Sequence, residues 1–315
     1  MILDIFVFIL LALFLLVIIS GGYAFVVACV RRKELPWLDE EAIKKTSYGP
    51  FYKEILIGNN FLEKYVSQEI EILSDDGLKL YGVWVPAENA RGTILLAHGY
   101  RSSKIVDFSL ALGLYHELGM NILLPDQRSH GKSEGKYITF GVKESRDMLS
   151  WVAYHNKTFG NMPLILSGLS MGASTMLFLA DADLPENVKG IIADCGFTSP
   201  YEIIKKVFHS IVHLPAAPTL WAADIFTRIF AGFSLKEKDS RKTLQNCKVP
   251  VLLVHGEADG FVPCEMTRQA YAACNAPKEL FLVKDADHGV SFLVEKERYI
   301  KTVEAFLQKN VGGTK

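Results

Sequence analysis

The chain has 315 residues, half of them hydrophobic, with 34 basic against 35 acidic side chains and a formal net charge of −1. That balance leaves no basic surface for nucleic acid, and an aromatic content of 11% excludes a disordered, solvating chain. Five scattered cysteines without a C-x-x-C pair argue against a disulfide framework or a structural zinc site and fit a reducing compartment.

No residue from Ile5 to Val30 is charged. The run is long enough to cross a bilayer, whose core takes about 20 apolar residues at 1.5 Å rise. A cleavable signal would open with basic residues and be shorter. Here Asp4 is the only early charged side chain, and Arg31-Arg32-Lys33 follow the run. Residues 1–33 therefore read as one transmembrane anchor with a basic flank. That makes a single-pass protein of the cell membrane, with the rest of the chain in the cytoplasm by the positive-inside rule. Residues 34–66 read as a polar, mixed-charge connector carrying Trp37, Tyr48, Phe51, Tyr52 and Phe61, packed on the domain or resting at the membrane surface.

From residue 67 onward the pattern changes. Residues 68–72 and part of 78–85 alternate polar and apolar around Ser74-Asp75-Asp76-Gly77, which predicts an antiparallel hairpin. Later runs do not alternate: 93–97, 121–124, 163–167, 190–193, 251–254 and a last candidate, 280–283. Continuous apolar runs of this length fit parallel strands buried on both faces. Helical stretches are expected near 104–118, 141–156, 171–181, 264–274 and 289–308. Antiparallel strands followed by strand–helix alternation predict an open, doubly wound sheet whose ligand site lies at the carboxyl ends of the strands.

Polar residues at those strand ends fit one reaction. Gly168-Leu169-Ser170-Met171-Gly172 falls between an apolar strand and a helical stretch. A serine on such a turn is held strained with its Oγ exposed, and small residues two before and two after let the neighbouring chain pack close. A serine hydroxyl needs a base, and the base needs an orienting partner. His98 and His255 each end a strand as His-Gly and read as loop-structuring. His116 and His155 lie on helices, His209 and His213 in an insertion, and His130 in a glycine-rich loop. His288, in Asp285-Ala286-Asp287-His288-Gly289 between the last strand and the last helix, is where a base must sit to reach Ser170. Asp259, in the loop closed by Pro263, is the favoured carboxylate. Asp194 is its competitor, and Asp285 and Asp287 lie too close to His288 in sequence to orient its ring. An oxyanion needs two preorganised N–H donors. The backbone amides of Met171 and of Tyr100, in the His98-Gly99-Tyr100-Arg101 loop, are the candidates.

Taken in order, His98-Gly99, Asp126-Gln127-Arg128-Ser129-His130-Gly131-Lys132-Ser133, the turn around Ser170, Asp259 ahead of Val262-Pro263, and His288 resemble the α/β-hydrolase superfamily. More narrowly, the chain resembles bacterial membrane-anchored serine hydrolases with a small lid, related to esterases and serine aminopeptidases. The resemblance covers about 67–310. It implies an α/β-hydrolase fold over 67–315: an eight-stranded, mostly parallel sheet flanked by helices, with a small helical lid and the N-terminal transmembrane helix ahead of it. It also implies Ser170, Asp259 and His288 as a triad, with Tyr100 and Met171 as oxyanion donors. Where the pattern commonly has Asp-x-Arg-Gly, Ser129 stands in the glycine place. Asp126 and Arg128 read as structural braces.

Some 55 residues separate Asp194 from Val251, too many for a simple crossover, so the lid is expected at about 197–246 with helices near 200–212 and 219–231. It would carry Phe208, Leu214, Trp221, Ile225, Phe226, Ile229, Phe230 and Phe233, packed on the body and roofing the cleft. No metal-ligand spacing, phosphate loop or dinucleotide fingerprint is present, so no cofactor and no metal are expected. The reading is a membrane-tethered acyl hydrolase for a small-molecule or lipid-like carboxylic ester, or a thioester, with an apolar acyl group. The alternatives are a serine peptidase using the same triad and a noncatalytic binding protein. Oligomeric state is not legible.

Overall fold

Continuous apolar strands and one alternating hairpin assemble into a single eight-stranded sheet in the computed structural model, which describes residues 1–45, 49–213 and 215–312. Tyr48 and Leu214 lie outside the described residues. The strands are β1 (Gln68–Leu73), β2 (Lys79–Val85), β3 (Gly92–Ala97), β4 (Met120–Pro125), β5 (Leu164–Leu169), β6 (Val188–Asp194), β7 (Val251–Gly256) and β8 (Lys278–Val283). Their order is β1-β2-β4-β3-β5-β6-β7-β8. β2 runs antiparallel to both β1 and β4, and every other pairing is parallel. The strand order reverses between β3 and β5, the place where ligands bind in open α/β sheets.

The helices in chain order are α1 (Ile2–Cys29), α2 (Glu40–Ile43), α3 (Tyr52–Tyr65), α4 (Lys104–Asp107), α5 (Ala111–Glu117), α6 (Val142–Phe159) and α7 (Met171–Phe178). They continue with α8 (Pro200–Val212), α9 (Ala217–Phe226), α10 (Ser240–Thr243), α11 (Cys264–Ala273), α12 (Ser291–Val294) and α13 (Lys296–Val311). Two expected helices are broken in two: 104–118 at residues 108–110, and the C-terminal one at Glu295.

Both faces of the sheet are buried, which explains the unbroken apolar strands. Leu95, Leu166, Ile191 and Leu253 pack with Trp151 of α6 and Met176 of α7 on one face. Ile94, Ile165, Ile192 and Leu252 pack with Leu112 of α5 and Phe306 of α13 on the other. Arg128 is braced as expected: it forks onto Asp147 of α6, at 2.6 Å through both Nε and Nη2, and onto Asp76 of the β1–β2 turn at 2.9 and 3.0 Å. Asp126 pairs with Lys104 at 2.7 Å. Ser129 adopts φ +65°, the left-handed conformation that glycine tolerates best, and its Oγ donates to Tyr137 O at 2.8 Å. The connector packs on the domain, with Trp37, Ile43 and Ile55 clustered against Ile105 and Val106.

The N-terminal run is one 28-residue helix, α1, with most of its residues exposed. By length and composition it could cross a membrane. Its last turns are not a loose tether. Phe25 and Cys29 are buried in a third apolar cluster with Met171, Phe197, Ile203 and Phe233. Val30 bridges Tyr137, Ile138 N donates to Cys29 O at 2.7 Å, and Arg31 donates to the carbonyls of Gly131 and Ser133, each at 2.7 Å.

The insertion folds as α8 and α9, the latter followed by a π-helical turn, Thr227–Ala231. The expectation that its apolar stripe packs on the body is corrected in part. Phe233 is buried there, but Phe226 packs against Gly22 and Phe25 of α1, while Trp221, Ile229 and Phe230 stay exposed. A stripe at helical spacing marks a packing face without saying which neighbour fills it.

Candidate active site

Strand β5 ends at Leu169 and α7 starts at Met171, so Ser170 alone makes the turn, at φ 57° and ψ −116°. That backbone conformation is strained for a residue with a Cβ. Two glycines make it feasible. A Cβ on Gly172 would stand 1.8 Å from the Ala97 carbonyl oxygen, and one on Gly168 would stand 2.3 Å from the Gly172 carbonyl. The Ser170 amide donates to Asp194 O of β6 at 2.8 Å, which ties the turn to the next strand.

Three sequence-distant side chains meet here. His288 Nε2 lies 2.9 Å from Ser170 Oγ, and its Nδ1 lies 2.7 Å from Asp259 Oδ2. With the carboxylate as acceptor, Nδ1 carries the proton and Nε2 is free to accept from the serine hydroxyl. Asp259 Oδ1 takes the amides of Phe261 and Val262, each at 2.8 Å. Burial opposes ionisation of Asp259, but hydrogen bonds from His255 and His288 prevail and hold its carboxyl well below the usual range. The competitor Asp194 is not beside the imidazole in this way. Its carboxyl is buried, its Oδ1 has no partner among the described residues, and burial pushes its pKa up to about 6.

His255 is the next-to-last residue of β7 and is fully buried. Its Nε2 lies 3.1 Å from Asp259 Oδ2 and 2.9 Å from Val262 O, and its Nδ1 lies 2.6 Å from Thr267 Oγ1. Both Nε2 partners only accept, so Nε2 carries the proton and Nδ1 accepts from the threonine. The sequence reading made His255 a loop-structuring residue and missed that it grips Asp259 from behind; no periodicity or motif signals that contact. Asp287, set aside as too local to orient the ring, fastens the two loops instead. Its Oδ1 accepts from His288 N at 2.7 Å and from Gly260 N at 2.9 Å.

The β3–α4 loop lies against the serine turn, since a Cβ on Gly99 would stand 3.4 Å from Ser170 Cβ. No described residue accepts from the backbone amides of Tyr100 or Met171. Met171 opens α7, where the helix dipole favours negative charge. The loop is held from three sides. Asp107 accepts from Gly99 N and from Ser102 Oγ, each at 2.5 Å, and burial pushes its carboxyl up to about 6. His130 Nε2 accepts from Arg101 N at 3.0 Å, and His98 Nε2 accepts from Gln127 N at 3.0 Å. From the third side comes α1: Tyr100 Oη donates to Ala28 O at 2.8 Å, and Arg101 Nη2 donates to Val27 O at 2.7 Å and Val30 O at 3.2 Å. A helix leaves its last carbonyls unpaired, and here the side chains of the candidate oxyanion loop satisfy some of them.

A family model described as serine aminopeptidase, S33, matches residues 88–242, a range that includes Tyr100 and Ser170 and stops short of Asp259 and His288. The uncharacterized protein YqkD of Bacillus subtilis (strain 168) is 29% identical over 268 residues, 84% of this chain and 88% of that protein. The uncharacterized protein YfhR of Escherichia coli (strain K12) is 25% identical over 237 residues, 73% of this chain and 76% of that protein. Among solved structures, Pyrococcus furiosus esterase Pf2001 superimposes with a TM-score of 0.65 at 24% identity, over 80% of this chain and 95% of that one. Mouse alpha/beta hydrolase domain-containing protein 10 gives a TM-score of 0.57 at 20% identity, over 77% and 99%. Sheet order, serine turn and these likenesses agree on the fold: the chain has an α/β-hydrolase fold.

Proposed function

We propose that this protein is a membrane-tethered serine hydrolase that cleaves carboxylic esters, or thioesters, with an apolar acyl group. The observation that carries the reading is the relay of 2.9 Å and 2.7 Å from Ser170 through His288 to Asp259, set on a strained turn. Ser170 Oγ attacks the acyl carbon while its proton passes to His288 Nε2, and Asp259 stabilises the imidazolium. The negative charge on the former carbonyl oxygen is met by the amides of Tyr100 and Met171. As the tetrahedral intermediate collapses, His288 protonates the departing alkoxide or thiolate. Water then gives a proton to His288 as its oxygen attacks the acyl-serine, and His288 returns that proton to Ser170 Oγ as the C–Oγ bond breaks and the acid departs. Met171, the residue after the serine, is buried in an apolar cluster with Phe197, Ile203, Phe233 and Val262, and apolar surroundings favour an apolar acyl group.

In this reading α1 spans the membrane and the basic residues after it keep the domain in the cytoplasm. Labelling of Ser170 by a fluorophosphonate, absent in Ser170→Ala, tests the nucleophile; no labelling of folded wild-type protein overturns the proposal. A second reading, a serine peptidase with the same three residues, draws on the family model's description. Comparing p-nitrophenyl esters of graded chain length with aminoacyl and prolyl amides separates the two.

A further inference from the structure

The exposed apolar stripe of the lid lies beside the second half of the stretch of α1 that would cross a bilayer. α1 is about 42 Å long at 1.5 Å per residue, against a hydrocarbon core of roughly 30 Å. Its N-terminal amino group pairs with Asp4, and Arg31-Arg32-Lys33 follow its other end. Charge at both ends sets the core-spanning part at about residues 5–24. Helix α9 runs along the second half of that stretch and just past its end, from Phe14 to Phe25 of α1. Ser20 Oγ lies 3.1 Å from Thr219 Oγ1, a Cβ on Gly21 would stand 2.3 Å from Ala222 Cβ, and the rings of Phe14 and Trp221 are 6.5 Å apart. Phe25 continues the contact to Phe226 and Phe230, at 6.2 and 5.9 Å. Small residues in close approach and a hydroxyl pair between helices are packing chemistry suited to lipid.

Beside this contact Trp221, Ile229 and Phe230 are 53%, 67% and 54% exposed. In water they would be an unexplained apolar patch. They adjoin a helix whose own apolar surface is exposed along most of its length, so whatever solvates α1 there reaches the lid as well.

We infer that α9 and the π-helical turn after it dip into the membrane beside α1, with Trp221, Ile229 and Phe230 among the acyl chains of the bilayer that α1 spans. The inference rests on the reading of α1 as a membrane span. It deepens the proposed function by committing the substrate to a lipid-soluble ester reaching Ser170 from the bilayer side, because Met171 shares one apolar cluster with Phe25 and Cys29 of α1.

The test uses the full chain in vesicles of equal parts phosphatidylcholine and phosphatidylglycerol, with and without acyl chains brominated at both shallow and deep positions. Trp37, Trp84 and Trp151 are buried, so the difference in emission between wild type and Trp221→Phe isolates Trp221. The expected result is that bromolipid removes most of the Trp221 emission and little of the rest. Emission quenched by aqueous iodide but not by bromolipid places the face in water; emission quenched by neither places it under protein, such as a second copy of this chain. Either outcome overturns the inference. Flotation of the vesicles after alkaline carbonate reads α1 insertion separately. Loss of flotation sinks the anchor reading and the inference together, whereas flotation with unquenched Trp221 sinks the inference alone. Equal fluorophosphonate labelling of the two forms shows that both are folded.

Discussion

Nε2 of His255 lies 3.1 Å from Asp259 Oδ2, the same oxygen that takes the 2.7 Å bond of His288. One carboxylate oxygen thus has an imidazole on either side, one buried and one partly open to the cleft. His255 touches no reacting atom; it is a positioning residue. A hydrogen bond to a charged group contributes about 1.5–3 kcal/mol, so His255→Leu is expected to lower kcat on esters roughly 10- to 100-fold with little change in KM. His255→Gln, which keeps an N–H donor, should recover part of the loss. A fall in KM-related binding without a fall in kcat, or no recovery with glutamine, contradicts this role.

The two buried carboxylates separate by mutation. Asp259→Asn should cost on the order of 10⁴ in kcat, because an amide no longer holds the proton on His288 Nδ1. Asp194→Asn leaves the backbone carbonyl that accepts from Ser170 N in place, and kcat should change by less than about tenfold. Steady-state ester hydrolysis by the two variants decides; equal losses count against Asp259 as the orienting group.

Because Tyr100 and Arg101 donate to the last carbonyls of α1, the helix should matter to turnover and not to location alone. Tyr100→Phe keeps the ring stacked on Phe140 and loses only the hydroxyl, at about 1 kcal/mol, read as a lower midpoint of thermal inactivation. Deleting residues 1–26 should lower kcat on a water-soluble short-chain ester. Unchanged kcat in that deletion means the loop does not need the helix.

Buried imidazoles set part of the acid stability. Burial lowers His98 to about 4 and His130 to about 3 from an ordinary 6.5. Between these values the unfolded chain binds protons that the native one refuses, so their contribution is complete above pH 6.5 and is lost as pH falls toward 4 and 3. Asp107 and Asp194, raised by burial to about 6, act in the opposite direction and mask the net slope. The readout is therefore a difference. His130→Gln should flatten the stability-against-pH curve between pH 6 and 4 by up to one proton, about 1.4 kcal/mol per pH unit, measured by denaturation midpoints at each pH. Parallel curves for the two proteins reject this assignment.

Legibility along the chain followed locality. Ser170 was readable because a strained turn leaves a local mark, glycines two residues either side of a serine between an apolar strand and a helix. His288 and Asp259 were readable because strand ends in a doubly wound sheet face one crevice. His255, Asp287 and Asp107 were not, since each acts through a contact set by how separate loops meet: β7 with the Pro263 loop, the two loops that Asp287 joins, and α4 with the β3 loop.

Periodicity and composition carry information about which faces of an element avoid water, and this chain's doubly buried strands, its hairpin and its apolar first helix follow from that. They carry none about the partner that covers a face. That Phe25 of α1 packs into the lid, that Arg101 closes the end of α1, and that two imidazoles share Asp259 Oδ2 depend on distances between residues far apart in the chain. Those distances exist only once the sheet has brought its loops together.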